Sequence, residues 1–149
     1  MKVYLAAPLF SQAERAWNRA LAGAAARLEP RVAWLLPQDF RPGGRFNDPK
    51  AYGILFRKCL ETLEAADAVV AVLDGPGTDA GVAFEAGWAH ARGKPVLGLR
   101  TDFRPGADHG VNLMCARACR YMVREYPFQE DPAPVAQAVL RRLRRMGCF

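Results

Sequence analysis

Much that would give this chain a quick reading is missing from it. No apolar run comes near the ~20 residues a membrane-crossing helix needs, and the opening Met1-Lys2-Val3-Tyr4-Leu5 lacks the layout of a secretory leader. A cytoplasmic protein is the expectation. The 4 cysteines, Cys59, Cys115, Cys119 and Cys148, include no CxxC pair, so free thiols are expected ahead of disulfides or a metal staple. There are only 2 histidines, His90 and His109, and neither is spaced with cysteines or acids as a zinc set. The chain also lacks a GxxxxGK[ST] loop, a GxGxxG turn behind its first strand and a GxSxG elbow. Nucleoside triphosphate, dinucleotide and serine-hydrolase readings fail on those grounds, and no metal or other cofactor is expected.

Acidic residues are in short supply relative to basic ones: 15 against 21, for a formal charge of +6 and a pI near 9.5. Much of the excess sits in Arg141, Arg142, Arg144 and Arg145, near the end of a C-terminal helical segment, where cations suit the helix dipole. No aromatic residues interleave with them, which favours a solvated helix end over a surface that tracks nucleic acid. With 149 residues the chain is read as one domain, large enough for a full core.

What is present is an alternation of strands and helices. Lys2 to Ala7 reads as a first strand closed by Pro8, and Ser11 caps a helix to about Leu28, with Trp17, Ala20, Leu21, Ala24 and Leu28 at helical spacing. A second strand covers Val32 to Leu36, and a long loop runs from Pro37 to Pro49. A helix over about Ala51 to Ala65 leads into the apolar strand Asp67 to Leu73, and Gly75-Pro76-Gly77 then breaks the chain. The Ala-rich segment Ala80 to Ala91 forms the next helix, capped by Thr78 or Asp79 and stopped by Gly93. Pro95 to Leu99 is a fourth strand, Arg100 to Gly110 a loop, and Asn112 to Ala118 a short helix. Arg120 to Val123 is a fifth strand, and a last helix covers Pro132 to Arg145. This alternation predicts a doubly wound α/β fold: a five-stranded parallel sheet of flavodoxin-like order 2-1-3-4-5 with helices on both faces. Ligands of such folds bind beyond the strand ends where the order reverses, here between the first and third strands. That topology gathers Tyr4, Phe10, Asp74, Asp79 and Glu85.

Glu85 is the residue hardest to explain as scaffold. It lies between Phe84 and Ala86 in a segment almost free of charge, and burying an unpaired carboxylate is strongly unfavourable. Asp79, six positions earlier, reads equally as a helix N-cap or as a second acid sharing acid and nucleophile roles with Glu85.

Five segments taken in order resemble one family. Tyr4-Leu5-Ala6-Ala7-Pro8-Leu9-Phe10, Asp67 to Gly75, Asp79-Ala80-Gly81-Val82-Ala83-Phe84-Glu85-Ala86-Gly87, Gly93-Lys94-Pro95 and Asn112-Leu113-Met114 are similar to the nucleoside 2-deoxyribosyltransferases, over most of Lys2 to Met114. The resemblance implies that Glu85 attacks C1′ of a 2′-deoxyribonucleoside and holds the sugar covalently until another base, or water, takes it. Tyr4 would orient that carboxylate, and Asp79 would bind sugar hydroxyls or help protonate the leaving base. Ala6, Phe10, Asp74 and Gly81 join the implied substrate site. Asn112 would reach the sugar's 5′ end in a neighbouring subunit's pocket, so a homo-oligomer is implied, and Met114 joins the implied substrate-binding residues. Partners would be a nucleoside and a free nucleobase, with neither membrane nor nucleic acid. Cys59 stands where some members place an acid or amide that reads the base edge, with Lys58 and Glu61 as alternative readers, and Arg41 to Asp48 as a further source of base contacts. Two other readings stay open: a 2′-deoxynucleoside 5′-monophosphate N-hydrolase, with Arg15 or Arg117 reaching the phosphate, and a non-catalytic module that only binds nucleosides or nucleotides.

Overall fold

The computed structural model describes residues 1–41, 48–103, 111–124 and 131–149. His109 and most of the expected base-contacting segment after Arg41 lie outside the described residues. The chain runs β1 (Lys2–Ala6), α1 (Gln12–Leu28), β2 (Ala33–Leu35), α2 (Pro49–Ala65), β3 (Ala68–Val72), α3 (Ala80–Ala91), β4 (Val96–Arg100), α4 (Leu113–Ala118), β5 (Tyr121–Arg124) and α5 (Ala133–Arg145). The strands form one five-stranded sheet in the order β2-β1-β3-β4-β5, and every pairing is parallel. The predicted fold class and strand order are therefore those observed.

The two-residue period of the central strands sorts the core into two halves. Val3, Leu5, Val70 and Val72 face one side, where Leu21 and Ala25 of α1 and Val139 and Leu143 of α5 cover them. Tyr4, Ala6, Val69, Ala71 and Leu73 face the other, under Leu63 of α2, Val82, Ala86 and Ala89 of α3, and Cys115 of α4. All five residues of β3 are buried. Burial on both faces is why the strand reads as an unbroken apolar run.

Helix boundaries follow local chemistry. Ser11 and Glu14 form a reciprocal capping box at the start of α1, with the Glu14 amide donating to Ser11 Oγ and the Ser11 amide donating to Glu14 Oε2. The buried stripe of α1 differs from the expected one: Leu21 and Ala24 point inward, but Ala20 and Leu28 face outward, and Asn18 is buried instead. Its Nδ2 donates to Pro8 O at 2.8 Å and to Gln38 Oε1 at 3.2 Å, which ties the loop after β1 to the turn after β2. That turn is a short 3-10 helix, Pro37–Asp39, inside what reads as a featureless loop. β2 is shorter than expected, and α2 starts two residues early because Asp48 caps it and Pro49 suits its first turn. Gly93, at φ 69°, ends α3 in the left-handed region that glycine enters without strain.

Candidate active site

The site is built where the strand order reverses. Tyr4, in the middle of β1, points to the face covered by α2 and α3 and is fully buried. Its hydroxyl donates to Glu85 Oε1 of α3 at 2.5 Å. The thiol of Cys59, from α2, lies against the same hydroxyl, so β1, α2 and α3 each place one polar group at this point. Three elements converge on an otherwise apolar face.

Burial sets the electrostatics. It pushes the Glu85 carboxyl up to about 7; the Tyr4 hydrogen bond pulls the other way, and the charge of Asp79 adds to the rise. Burial and then the Glu85 charge push the Tyr4 phenol upward, so the phenol keeps its proton and acts as a donor. Burial also raises the Cys59 thiol, which favours the neutral form. Glu85 can thus exchange between acid and carboxylate near neutral pH while Tyr4 and Cys59 remain protonated.

Asp79 is the N-cap of α3, its Oδ1 accepting from the Val82 amide at 3.0 Å. The two readings of this residue coexist: it caps the helix, and its charge reaches Glu85. Gly81 sits against that carboxylate, because a Cβ there would lie 3.0 Å from Asp79 Oδ1. Ala6 is buried beside Tyr4 on the same sheet face, and Phe10, just past β1, is 79% exposed. Trp88 is partly buried against the core, with the Arg92 guanidinium over its ring.

Asp74, expected at the substrate site, is tied to the end of β4. Its Oδ1 accepts from the backbone amides of Thr101 and Asp102, and its Oδ2 accepts from the Thr101 hydroxyl. The reverse tie also exists, since Asp102 Oδ2 accepts from the Gly75 amide at 2.9 Å. Arg100, only 2% exposed, completes this clamp by donating from Nη1 to Leu73 O at 2.6 Å and to Gly75 O at 3.3 Å. Gly75 itself has φ 101°, a conformation other residues rarely adopt. The loop leading from β3 to Asp79 is therefore held by the end of β4. None of Arg100, Thr101 or Asp102 stands out from the sequence; the one available signal is a cation ending the apolar run Val96 to Leu99. Replacing Arg100 by Met strands the Leu73 and Gly75 carbonyls, and we expect a loss of about 2–3 kcal/mol in unfolding free energy. Urea titration checks it, and a Thr101→Val variant, lacking one neutral hydrogen bond, should lose only about 1 kcal/mol.

Asn112 and Met114 lie elsewhere. Asn112 caps α4 through Oδ1, and Met114 is 76% exposed. Both line a cleft of about 670 Å³ between α3 and α4, with Thr78, Ala83, Gly87 and His90. At 100° per residue, Glu85 points about 200° away from Ala83 around α3. Within one chain, then, Tyr4, Cys59, Asp79 and Glu85 come together, while Asn112 and Met114 border a different face of the same helix. Among the described residues, no group of three or more His, Cys, Asp and Glu side chains is arranged to hold a metal ion. No helix of the described residues is long and apolar enough to cross a membrane.

A five-stranded parallel sheet of this order with helices on both faces is an α/β fold found among enzymes that act on the N-glycosidic bonds of nucleosides. The model of one such family, nucleoside 2-deoxyribosyltransferase, matches residues 3–114, and the chain belongs to that family. Among solved structures, a conserved protein from Enterococcus faecalis is 30% identical, with a TM-score of 0.79 over 96% of this chain and 99% of that one. A 2-deoxyribosyltransferase from Bacillus psychrosaccharolyticus shares the fold at 22% identity and a TM-score of 0.68, over 91% of this chain and 90% of that one. A CMP N-glycosidase from Clostridium botulinum shares it at 16% identity and a TM-score of 0.56, over 97% and 99%. Among curated proteins, none matches the sequence.

Proposed function

We propose that this protein cleaves the N-glycosidic bond of 2′-deoxyribonucleosides and passes the sugar, through a glutamyl ester on Glu85, to a second base or to water. The observation that carries this reading is the hydrogen bond from the buried Tyr4 hydroxyl to Glu85 at the switch point of the sheet. One Glu85 oxygen is oriented by Tyr4, which leaves the other to face the anomeric carbon. As the C1′–N bond lengthens, positive charge builds on the sugar, and a carboxylate on the opposite side stabilises it and then bonds to C1′. A 2′-deoxy sugar lacks the electron-withdrawing hydroxyl and supports that charge well. The electron pair of the broken bond leaves with the base, which needs a proton; Asp79 is the nearby carboxyl placed to relay one to it or to hold the sugar. In the second half, a base nitrogen or water attacks C1′ and gives up its proton to the carboxyl that supplied one to the leaving base, while the C1′–O ester bond breaks and its electron pair returns to the Glu85 carboxylate.

The same reading assigns Asn112 and Met114 to a neighbouring copy. Their cleft faces away from the chain's own Glu85, and Leu113 beside them is 58% exposed, so α4 presents an apolar tip for a second subunit. Cys59 takes the position from which the base edge is read, in contact with Tyr4. Of the cations named for a 5′-phosphate, Arg15 donates to Gln38 O at 3.1 Å, and Arg117 borders the α3–α4 cleft.

The test is incubation with a 2′-deoxynucleoside and a different free base, followed by chromatography for a new nucleoside and for free deoxyribose. New nucleoside is expected. Turnover confined to deoxynucleoside monophosphates, with free base as sole product alongside the sugar phosphate, would replace transfer by hydrolysis. No turnover with any purine or pyrimidine substrate would leave a binding module.

A further inference from the structure

The residues that follow β4 do more to the loop after β3 than two parting strands require. The Leu73 amide still donates to Leu99 O, and a continued parallel ladder would send the Thr101 amide to Leu73 O. Side chains take over instead. Arg100 Nη1 occupies Leu73 O, the Thr101 amide turns to Asp74 Oδ1, and Asp102 Oδ2 accepts from the Gly75 amide at 2.9 Å. Arg100 also donates to Gly75 O, and its Nε donates to Asp102 O at 3.0 Å. Both backbone polar groups of Gly75 are thus bound by side chains from positions 100 and 102.

Only Pro76, Gly77 and Thr78 separate this anchor from Asp79. Pro76 has its φ fixed by its ring, and a Cβ on Gly75 would lie 3.2 Å from Gly77 O, so the segment is folded tightly on itself. A shift at Gly75 therefore passes on to Asp79 instead of being absorbed. Of the titratable groups that face Glu85, Tyr4 sits inside β1 and Cys59 inside α2, where regular structure fixes them. Asp79 hangs from the clamped loop. The Val82 amide holds its carboxylate from the α3 side, and the clamp holds its backbone from the β4 side. Asp79 and Glu85 are like charges when both are ionised, so a loosened loop would let them move apart. We propose that Asp102 is a positioning residue for the glycosyl transfer read above, and rests on that reading: by fixing the Gly75 amide it keeps Asp79 beside Glu85.

The test is titration of the Glu85 carboxyl by carbon-13 NMR of the glutamate-labelled full chain, its signal assigned by loss in Glu85→Gln, together with kcat for base exchange. In Asp102→Ala the Gly75 amide loses its acceptor and Asp79 relaxes outward. The Glu85 midpoint should then fall below the parent's, because the Asp79 charge is one of the causes that raise it. The value of kcat should drop about 10- to 100-fold, the scale of an ångström of misplacement. Asp102→Asn removes the same charge but keeps an oxygen for the amide, and it should restore both values to near the parent's. Thr101→Val breaks one tie to Asp74 and leaves the rest; it should move the midpoint the same way by less, and it decides the matter if Asp102→Ala does not fold. Parent midpoint and parent kcat in a folded Asp102→Ala, with only the melting temperature lowered, overturn the proposal. So does an Asn variant that behaves like Ala, which would make the effect one of charge alone. The titration needs no turnover: a parent that cleaves no nucleoside removes the functional reading, and the midpoints still decide whether Asp102 places Asp79.

Discussion

Replacing Glu85 by Gln is expected to slow base exchange by at least about 10⁴-fold while the fold survives. The amide keeps the size of the side chain and can still accept from Tyr4, but it cannot form the glycosyl ester. Nucleoside binding, measured by calorimetry, should stay within about tenfold of the parent, because the lost interaction belongs to the transition state rather than to the ground state. A smaller variant, Glu85→Ala, opens space beside Tyr4, and a small anion such as azide should then attack the sugar in its place and restore base release. Mass spectrometry of the parent, quenched during turnover, should find one deoxyribosyl group on the peptide containing Glu85. An exchange rate within tenfold of the parent in the Gln variant would remove Glu85 from the chemistry and leave the Tyr4 hydrogen bond without a catalytic meaning.

The second large effect concerns pH. In the proposed reaction Glu85 attacks as the carboxylate, and burial with the Asp79 charge raises its pKa to about 7, so kcat/KM should climb with pH and level off above that value. The Tyr4 hydroxyl opposes the rise by bonding to the charged form. In Tyr4→Phe that bond is gone, and burial and the Asp79 charge act unopposed. The midpoint should move to higher pH, and the plateau rate should drop about 10- to 100-fold, the worth of a hydrogen bond to a charged group. A midpoint that stays put or moves down would mean that the phenol does not favour the carboxylate in solution. Stopped assays across pH, run on both proteins with the same deoxynucleoside, separate these outcomes.

That Tyr4 and Glu85 gather at one crevice could be anticipated from element order, since the order 2-1-3-4-5 sets β1 beside β3 and the helix that follows it. The hydrogen bond between them was implied by the family resemblance, and the structure places it on the β1 face that lies under α3. The clamp behind Asp74 could not be anticipated, since it joins residues 27 and 28 positions apart through hydrogen bonds that no periodicity announces. Asn18 was missed for a related reason: on a helix face of alanines and leucines, a buried amide shows only when its partners, Pro8 O and Gln38, are in place. β2 is shorter than its apolar run because it lies at the sheet edge, with a neighbour on one side only, and because Pro37 redirects the chain into a turn. The separation of Asn112 and Met114 from Glu85 depends on the angular phase of α3, to which the linear spacing of motifs is blind.

The setting of Glu85 also bears on how durable the molecule is. In the unfolded chain this carboxyl titrates at its ordinary value near 4.5; in the folded chain it does so at about 7. Protonation therefore favours the native state: the benefit is complete below the unfolded value and is gone once pH has risen through the folded one. Under the conditions in which the carboxylate is most reactive, this group contributes least to heat resistance. An inert glutamine at that position would be the sturdier protein, and thermal hardening of a working catalyst has to come from residues remote from α3.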